Sequence, residues 1–251
     1  MLKVNNLSSG YNGIDIVKNI NFEVEQNSFS CLLGANGCGK TTLIRAMSGE
    51  IEYSGETQIL GENVEKLPTK KKGKKIGVLS QLNEVLFPYT VYETVLMGRY
   101  PYITGRFFSN YKKEDFDATI DALKVTNIFD LKDKLITELS GGQLQRVFLA
   151  RLFAQSPEVI LLDEPTNHLD LKYQIEIMDY LKSWVKEGER CVLAVLHDVN
   201  LAMNYSDKLL LMYQGKIIAH GEKSEIEHKL FDEIYGINMK EYMQKSLENW
   251  V

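Results

Sequence analysis

The chain has 251 residues, 44% of them hydrophobic, which suits one large domain with a sizeable buried core. Its 29 Lys and Arg stand against 34 Asp and Glu, a net charge of −5 that argues against a broad nucleic-acid-binding face. Three cysteines, Cys31, Cys38 and Cys191, make no disulfide framework and read as reduced thiols of a cytoplasmic protein. No apolar run approaches the ~20 residues of a membrane-spanning helix, and residues 1–10 do not read as a signal peptide. The expectation is a chain soluble by itself, with any membrane role exercised through a partner.

In chain order, residues 1–27 read as short strands with turn signals at Ser9-Gly10 and Asn12-Gly13, and 53–62 continue that pattern around Gly55 and Gly61. Residues 28–33 are a near-continuous apolar run, as in a strand covered on both faces, and a helix follows through Leu43 and Met47. The run Lys70-Lys71-Lys72-Gly73-Lys74-Lys75 reads as a solvated loop. Residues 76–79, 159–162 and 191–196 are further buried strands. Between them, about 87–156 shows helical periodicity, with Phe116, Ile120 and Leu123 predicted to line one face of a helix at i, i+4 and i+7. Ile177, Leu181, Trp184 and Val185 mark another helix, with Gly188 as its stop. The segment after Gly221 is polar and helical. The pattern predicts an α/β fold with a mainly parallel central sheet, an antiparallel β flank and an inserted helical subdomain, in a single domain over 1–251 with a tail from about 222.

Gly34, four residues, then Gly39-Lys40-Thr41 fits a phosphate-binding loop in its required context, after a strand and before a helix. The glycines let successive N–H groups turn toward phosphate oxygens, and the helix start adds its positive dipole end. Lys40 would sit by the β- and γ-phosphates, and Thr41 would offer its hydroxyl to Mg²⁺. Cys38, among inward-pointing N–H groups, is expected to have a lowered thiol pKa and to be alkylatable, with ATP protecting it.

The strand 159–162 ends in Asp163-Glu164. Two adjacent acids at the end of a buried strand call for a cation or a reaction. In a phosphate-loop enzyme the first suits Mg²⁺ and the second polarises the attacking water. His197 follows the strand 191–196, where open α/β sheets bind ligands.

With these motifs assembled, the chain resembles an ABC-transporter ATPase over essentially its whole length. Leu139-Ser140-Gly141-Gly142-Gln143, followed by Leu144-Gln145-Arg146, matches the family's signature motif. Asn167-His168-Leu169-Asp170 matches the D-loop, Gln81 the Q-loop and His197 the switch histidine. Tyr11 matches the aromatic residue that stacks on adenine. Ala35 and Cys38 stand where the family often has Pro and Ser, but neither change removes a phosphate-contacting backbone donor.

The resemblance implies an Mg²⁺-dependent ATPase with Glu164, His197, Lys40 and Gln81 as catalytic residues. It implies ATP contacts at Tyr11, Gly34, Ala35, Asn36, Gly37, Cys38, Gly39, Lys40, Thr41 and Thr42. It places Mg²⁺ on Thr41, Gln81 and Asp163. Ser140, Gly141, Gly142 and Gln143, at a helix start, would meet the γ-phosphate held by a second copy in a head-to-tail dimer, with Asn167 and Asp170 at the interface.

The stretches 90–102 and 196–202 resemble the subunits that serve iron-siderophore, haem and cobalamin importers. The expected partners are a second copy, an integral membrane permease and, indirectly, a substrate-binding protein, at the cytoplasmic face of the membrane and with no nucleic acid. Residues near Gln81 and over 86–99, including Phe87, Tyr89 and Tyr92, are the candidate permease contacts. The alternatives are a zinc, manganese or other ABC transporter, and a soluble non-transport ABC protein, toward which only the 70–75 run leans.

Overall fold

The computed structural model describes residues 1–80, 87–103 and 111–248. Strands β1 (Leu2–Tyr11) and β2 (Ile14–Val24) form an antiparallel hairpin turned at Asn12-Gly13; Ser9 and Gly10 lie inside β1 and not in a turn. Strand β3 (Ser28–Leu33) leads through the glycine-rich loop into helix α1 (Lys40–Ser48). Strands β4 (Tyr53–Ile59) and β5 (Glu62–Asn63) complete an antiparallel four-stranded sheet in the order β2-β1-β4-β5.

The lysine run is not a solvated loop. It is helix α2 (Thr69–Lys75), which starts after Pro68. Its charges find partners on neighbouring elements. Lys75, 7% exposed, pairs with Glu62 at 3.2 Å and Glu158 at 3.1 Å. Lys70 Nζ donates to Ile103 O at 2.7 Å and lies over the Tyr100 ring, and Lys74 lies over Tyr102. A run that reads as solvated from one dimension is docked through contacts distant in sequence.

After β6 (Ile76–Leu79) come α3 (Val91–Leu96), α4 (Lys113–Val125) and α5 (Gly141–Gln155), all before β7 (Val159–Asp163). Helix α4 buries the expected face only in part: Leu123 is buried with Asp115, Thr119 and Ala122, and Ile120 is half-buried, whereas Phe116 is 38% exposed. Asp115 turns inward because its carboxylate accepts from Arg99 Nε at 2.8 Å and from Lys112 N–H at 2.9 Å. The chain continues through α6 (Leu171–Trp184), β8 (Cys191–Val195), α7 (Val199–Tyr205), β9 (Lys208–Tyr213), β10 (Lys216–Glu222), α8 (His228–Tyr235) and α9 (Met239–Glu248). The apolar stripe of α6 is buried as expected, and Gly188 lies in the turn beyond its end with φ 92°.

The large sheet has the order β10-β9-β3-β8-β7-β6, with every pairing parallel except β9–β10. Its two faces build separate cores because side chains alternate along each strand. Phe29, Cys31, Leu33, Ile160, Leu162, Val192 and Ala194 face the helices α3 to α8. Leu32, Val159, Leu161, Cys191, Leu193 and Val195 face α1 and the antiparallel sheet. Strands β9 and β10 go unnoticed in the sequence reading, although the run Leu209-Leu210-Leu211-Met212 before Gly215 carries a buried-strand signal. No helix among the described residues is long and apolar enough to cross a membrane.

Candidate functional site

Strands β3, β8 and β7 are neighbours, so the segments leaving their carboxyl ends converge: the loop 34–39, His197, and Asp163 with Glu164. Ligands of open α/β sheets bind at such an edge. A cleft of about 590 Å³ lies there, lined by Ile16, Asn36, Gly37, Gly39, Lys40, Thr41, Thr42, Glu164, Asn167 and His197.

The loop is shaped for anions. Gly39 caps α1 with φ 110°, a conformation closed to most side chains, and a Cβ there would come 2.9 Å from Val17 Cγ1. No side chain caps the α1 N-terminus and no acid lies in its first turn, so its leading N–H groups and dipole are available to phosphate. Lys40, 6% exposed, donates from Nζ to Gly34 O at 2.8 Å and Ala35 O at 3.0 Å, which holds its cation across the loop. Cys38 departs from expectation: it is 8% exposed, and burial pushes its thiol up despite the nearby Lys40 ammonium. Gly34, Ala35 and Cys38 form the loop without lining the cleft.

Asp163 is 1% exposed, and neither carboxylate oxygen has a hydrogen-bond partner among the described residues. Burial raises its carboxyl, and the Glu164 charge adds to the rise. The Thr41 hydroxyl, close by but outside hydrogen-bond geometry, and the charges of Lys40 and His197 partly offset it. A buried carboxylate left unpaired is costly unless a cation completes it. The residues therefore fit a divalent ion held between Thr41 and Asp163. No group of three His, Cys, Asp or Glu suited to a metal occurs among the described residues, and Mg²⁺ characteristically takes few protein ligands, with water and phosphate filling the rest.

Glu164 adopts φ 56°, the left-handed region that a non-glycine residue rarely holds without reason. Its N–H donates to Val195 O at 3.2 Å, tying it to β8. Its carboxylate bonds His197 Nε2 through Oε1 and accepts from the Asn167 amide through Oε2. Asn167, expected only at an interface, thus belongs to the cleft.

The structure does not bring every candidate together. Ser140, Gly141, Gly142 and Gln143 do not line this cleft. They start α5 with a reciprocal cap: Ser140 Oγ accepts from Gln143 N–H at 3.3 Å, and Gln143 Oε1 accepts from Ser140 N–H at 3.0 Å. Ser140 and Gly141 are exposed, so the helix start faces outward. Asp170, also exposed, precedes α6 without a side-chain cap. Tyr11 stands outside the cleft lining, 41% exposed, with its hydroxyl accepting from Arg45 at 3.5 Å. Ile16, from the same hairpin, lines the cleft and was missed; an apolar residue alternating outward on a strand was its signal. Gln81 and Leu86 lie outside the described residues. Of the candidate permease contacts, Phe87 and Tyr89 are 60% and 41% exposed, while Tyr92 packs against the core.

Comparison with known proteins identifies the family. The sequence profile described as ABC transporter matches residues 17–167. The chain is 36% identical over 241 residues to the petrobactin import ATP-binding protein YclP of Bacillus subtilis, covering 95% of this chain and 94% of that one. It is 36% identical over 238 residues to the ferric enterobactin transport ATP-binding protein FepC of Escherichia coli, covering 94% and 87%. Among solved structures, the dimeric post-hydrolysis state of the ATP-binding cassette MJ0796 bound to ADP and Pi superposes with a TM-score of 0.78 at 27% identity, covering 88% of this chain and 98% of that one. The cleft with its phosphate loop, the acidic pair and the full-length relatives together make this chain a member of the ABC transporter family, an ATPase cassette.

Proposed function

We propose that this chain powers a membrane importer of iron-siderophore or related metal-chelate compounds, working as a head-to-tail dimer with two ATP molecules between the copies. The observation that carries the ATPase chemistry is the convergence of Lys40, Asp163, Glu164 and His197 at adjoining strand ends. The cargo class is supported by relatives named for petrobactin import and ferric enterobactin transport. The dimer is supported by the dimeric solved relative and by the outward-facing start of α5.

In this reading the loop 34–42 holds the phosphates, with Lys40 moving from its carbonyls to the β- and γ-oxygens, and Tyr11 stacks on adenine. Thr41, Asp163 and Gln81 would hold Mg²⁺, which neutralises phosphate charge when bound. Glu164 takes a proton from water as its oxygen bonds the γ-phosphorus; the bond to the β–γ bridging oxygen breaks and ADP leaves with that electron pair. His197 orients Glu164 and the γ-phosphate. Ser140, Gly141, Gly142 and Gln143 of the second copy close over the γ-phosphate, with Asn167 and Asp170 near the interface. The helical subdomain of 87–156, with exposed Phe87 and Tyr89, meets the permease at the cytoplasmic face of the membrane, and a substrate-binding protein delivers the cargo outside.

Lys40→Ala tests the phosphate role. Equilibrium binding of a fluorescent ATP analogue is expected to weaken at least about tenfold, the scale of one lost charge-assisted contact. Wild-type affinity would contradict the assignment.

A further inference from the structure

Asn167 is tied to Glu164 twice. Its backbone N–H donates to Glu164 O at 3.2 Å, and its side-chain amide donates to Glu164 Oε2. His197 holds the other oxygen. The carboxylate is therefore gripped from two different connections, one leaving β7 and one leaving β8.

The loop that carries Asn167 is itself fastened. Gln145 Nε2 of α5 donates to Pro165 O at 3.3 Å. Gln174 Nε2 of α6 donates to Thr166 O at 3.3 Å and Leu169 O at 2.8 Å. Thr166 and Leu169 are 8% and 7% exposed. Gly142 lets the loop approach α5: a Cβ there would stand 2.7 Å from His168 O. The amide of Asn167 is thus presented to the cleft from a loop anchored to two helices.

We propose that Asn167 is a positioning residue for Glu164, fixing the rotation of its carboxylate in the cleft. This rests on the reading of Glu164 as the base. A general base works only when its lone pair meets the proton in a narrow range of geometry, and a carboxylate turns easily about its last bond. A neutral amide donor restrains that turn without placing a second charge beside the acid. Contact with a second copy alone would not require the amide to bond Glu164.

The test uses the full chain. For Asn167→Ala, kcat is expected to fall about ten- to a hundredfold, the range for one hydrogen bond to a charged group, with KM for ATP held within about twofold. The thermal midpoint should stay at the wild-type value. Asn167→Asp, which sets a carboxylate against Glu164, should lose at least as much kcat. In a Glu164→Gln background, Asn167→Ala should lower turnover no further, since the two act as one unit, and the ATP-dependent dimer should still form. A wild-type kcat in Asn167→Ala overturns the inference. So does loss of the ATP-dependent dimer in the double variant, which would return Asn167 to an interface role. A wild-type rate for Glu164→Gln alone strikes the base assignment itself and the inference with it, so the two failures are told apart.

Discussion

At the scale of single residues, burial outweighs local motif chemistry. Cys38 sits in a phosphate loop beside Lys40, which from sequence suggests an activated thiol. Burial pushes its pKa up, and burial pushes Cys31 and Cys191 up to about 12. All three thiols are expected to react slowly with a maleimide at pH 8, with or without ATP, and to react fully in guanidinium. Rapid native labelling of Cys38 would contradict this. Asp163 shows the converse: its burial and its lack of a hydrogen-bond partner among the described residues are costs that a bound cation would offset. Lys40, Asp163, Glu164 and His197 can be picked out from the sequence because each lies at or beyond the carboxyl end of a buried strand that the apolar pattern reveals. The bond from Asn167 to Glu164 was not legible, since it depends on a left-handed turn that no composition announces.

At the scale of elements, the strands beginning at Ser28, Ile76, Val159 and Cys191 are legible in the sequence because strands covered on both faces are continuously apolar. Helix α2 and the inward turn of Asp115 in α4 are not legible in this way, because long-range polar contacts decide them. Arg99 and Asp115 are 7% and 3% exposed and join across 2.8 Å, with Arg99 also donating to Ala154 O at 2.7 Å. Burial alone would raise Asp115, but the Lys112 N–H and the Arg99 guanidinium outweigh it and hold the carboxyl low. A lowered folded pKa adds stability above the unfolded value of about 3.9 and loses it as pH falls below that. Asp115→Ala, which strands the arginine, is expected to cost about 3–5 kcal/mol near pH 7 in urea unfolding. The gap from wild type should narrow toward pH 3. A pH-independent gap would show that packing, not the ion pair, is lost.

At the scale of the molecule, the cleft is one-sided. Its phosphate loop, acids and histidine lie at one sheet edge, while the capped start of α5 faces outward without lining that cleft. In the proposed assembly, the outward α5 start of each copy completes the site of the other, so that hydrolysis belongs to a pair of chains. The most direct test is the Glu164→Gln variant, followed by light scattering and by ATP turnover. It is expected to bind ATP, to run as a dimer only when ATP and Mg²⁺ are present, and to lose turnover by at least about a hundredfold. A variant that stays monomeric with ATP bound, or that hydrolyses ATP at the wild-type rate, would contradict the account.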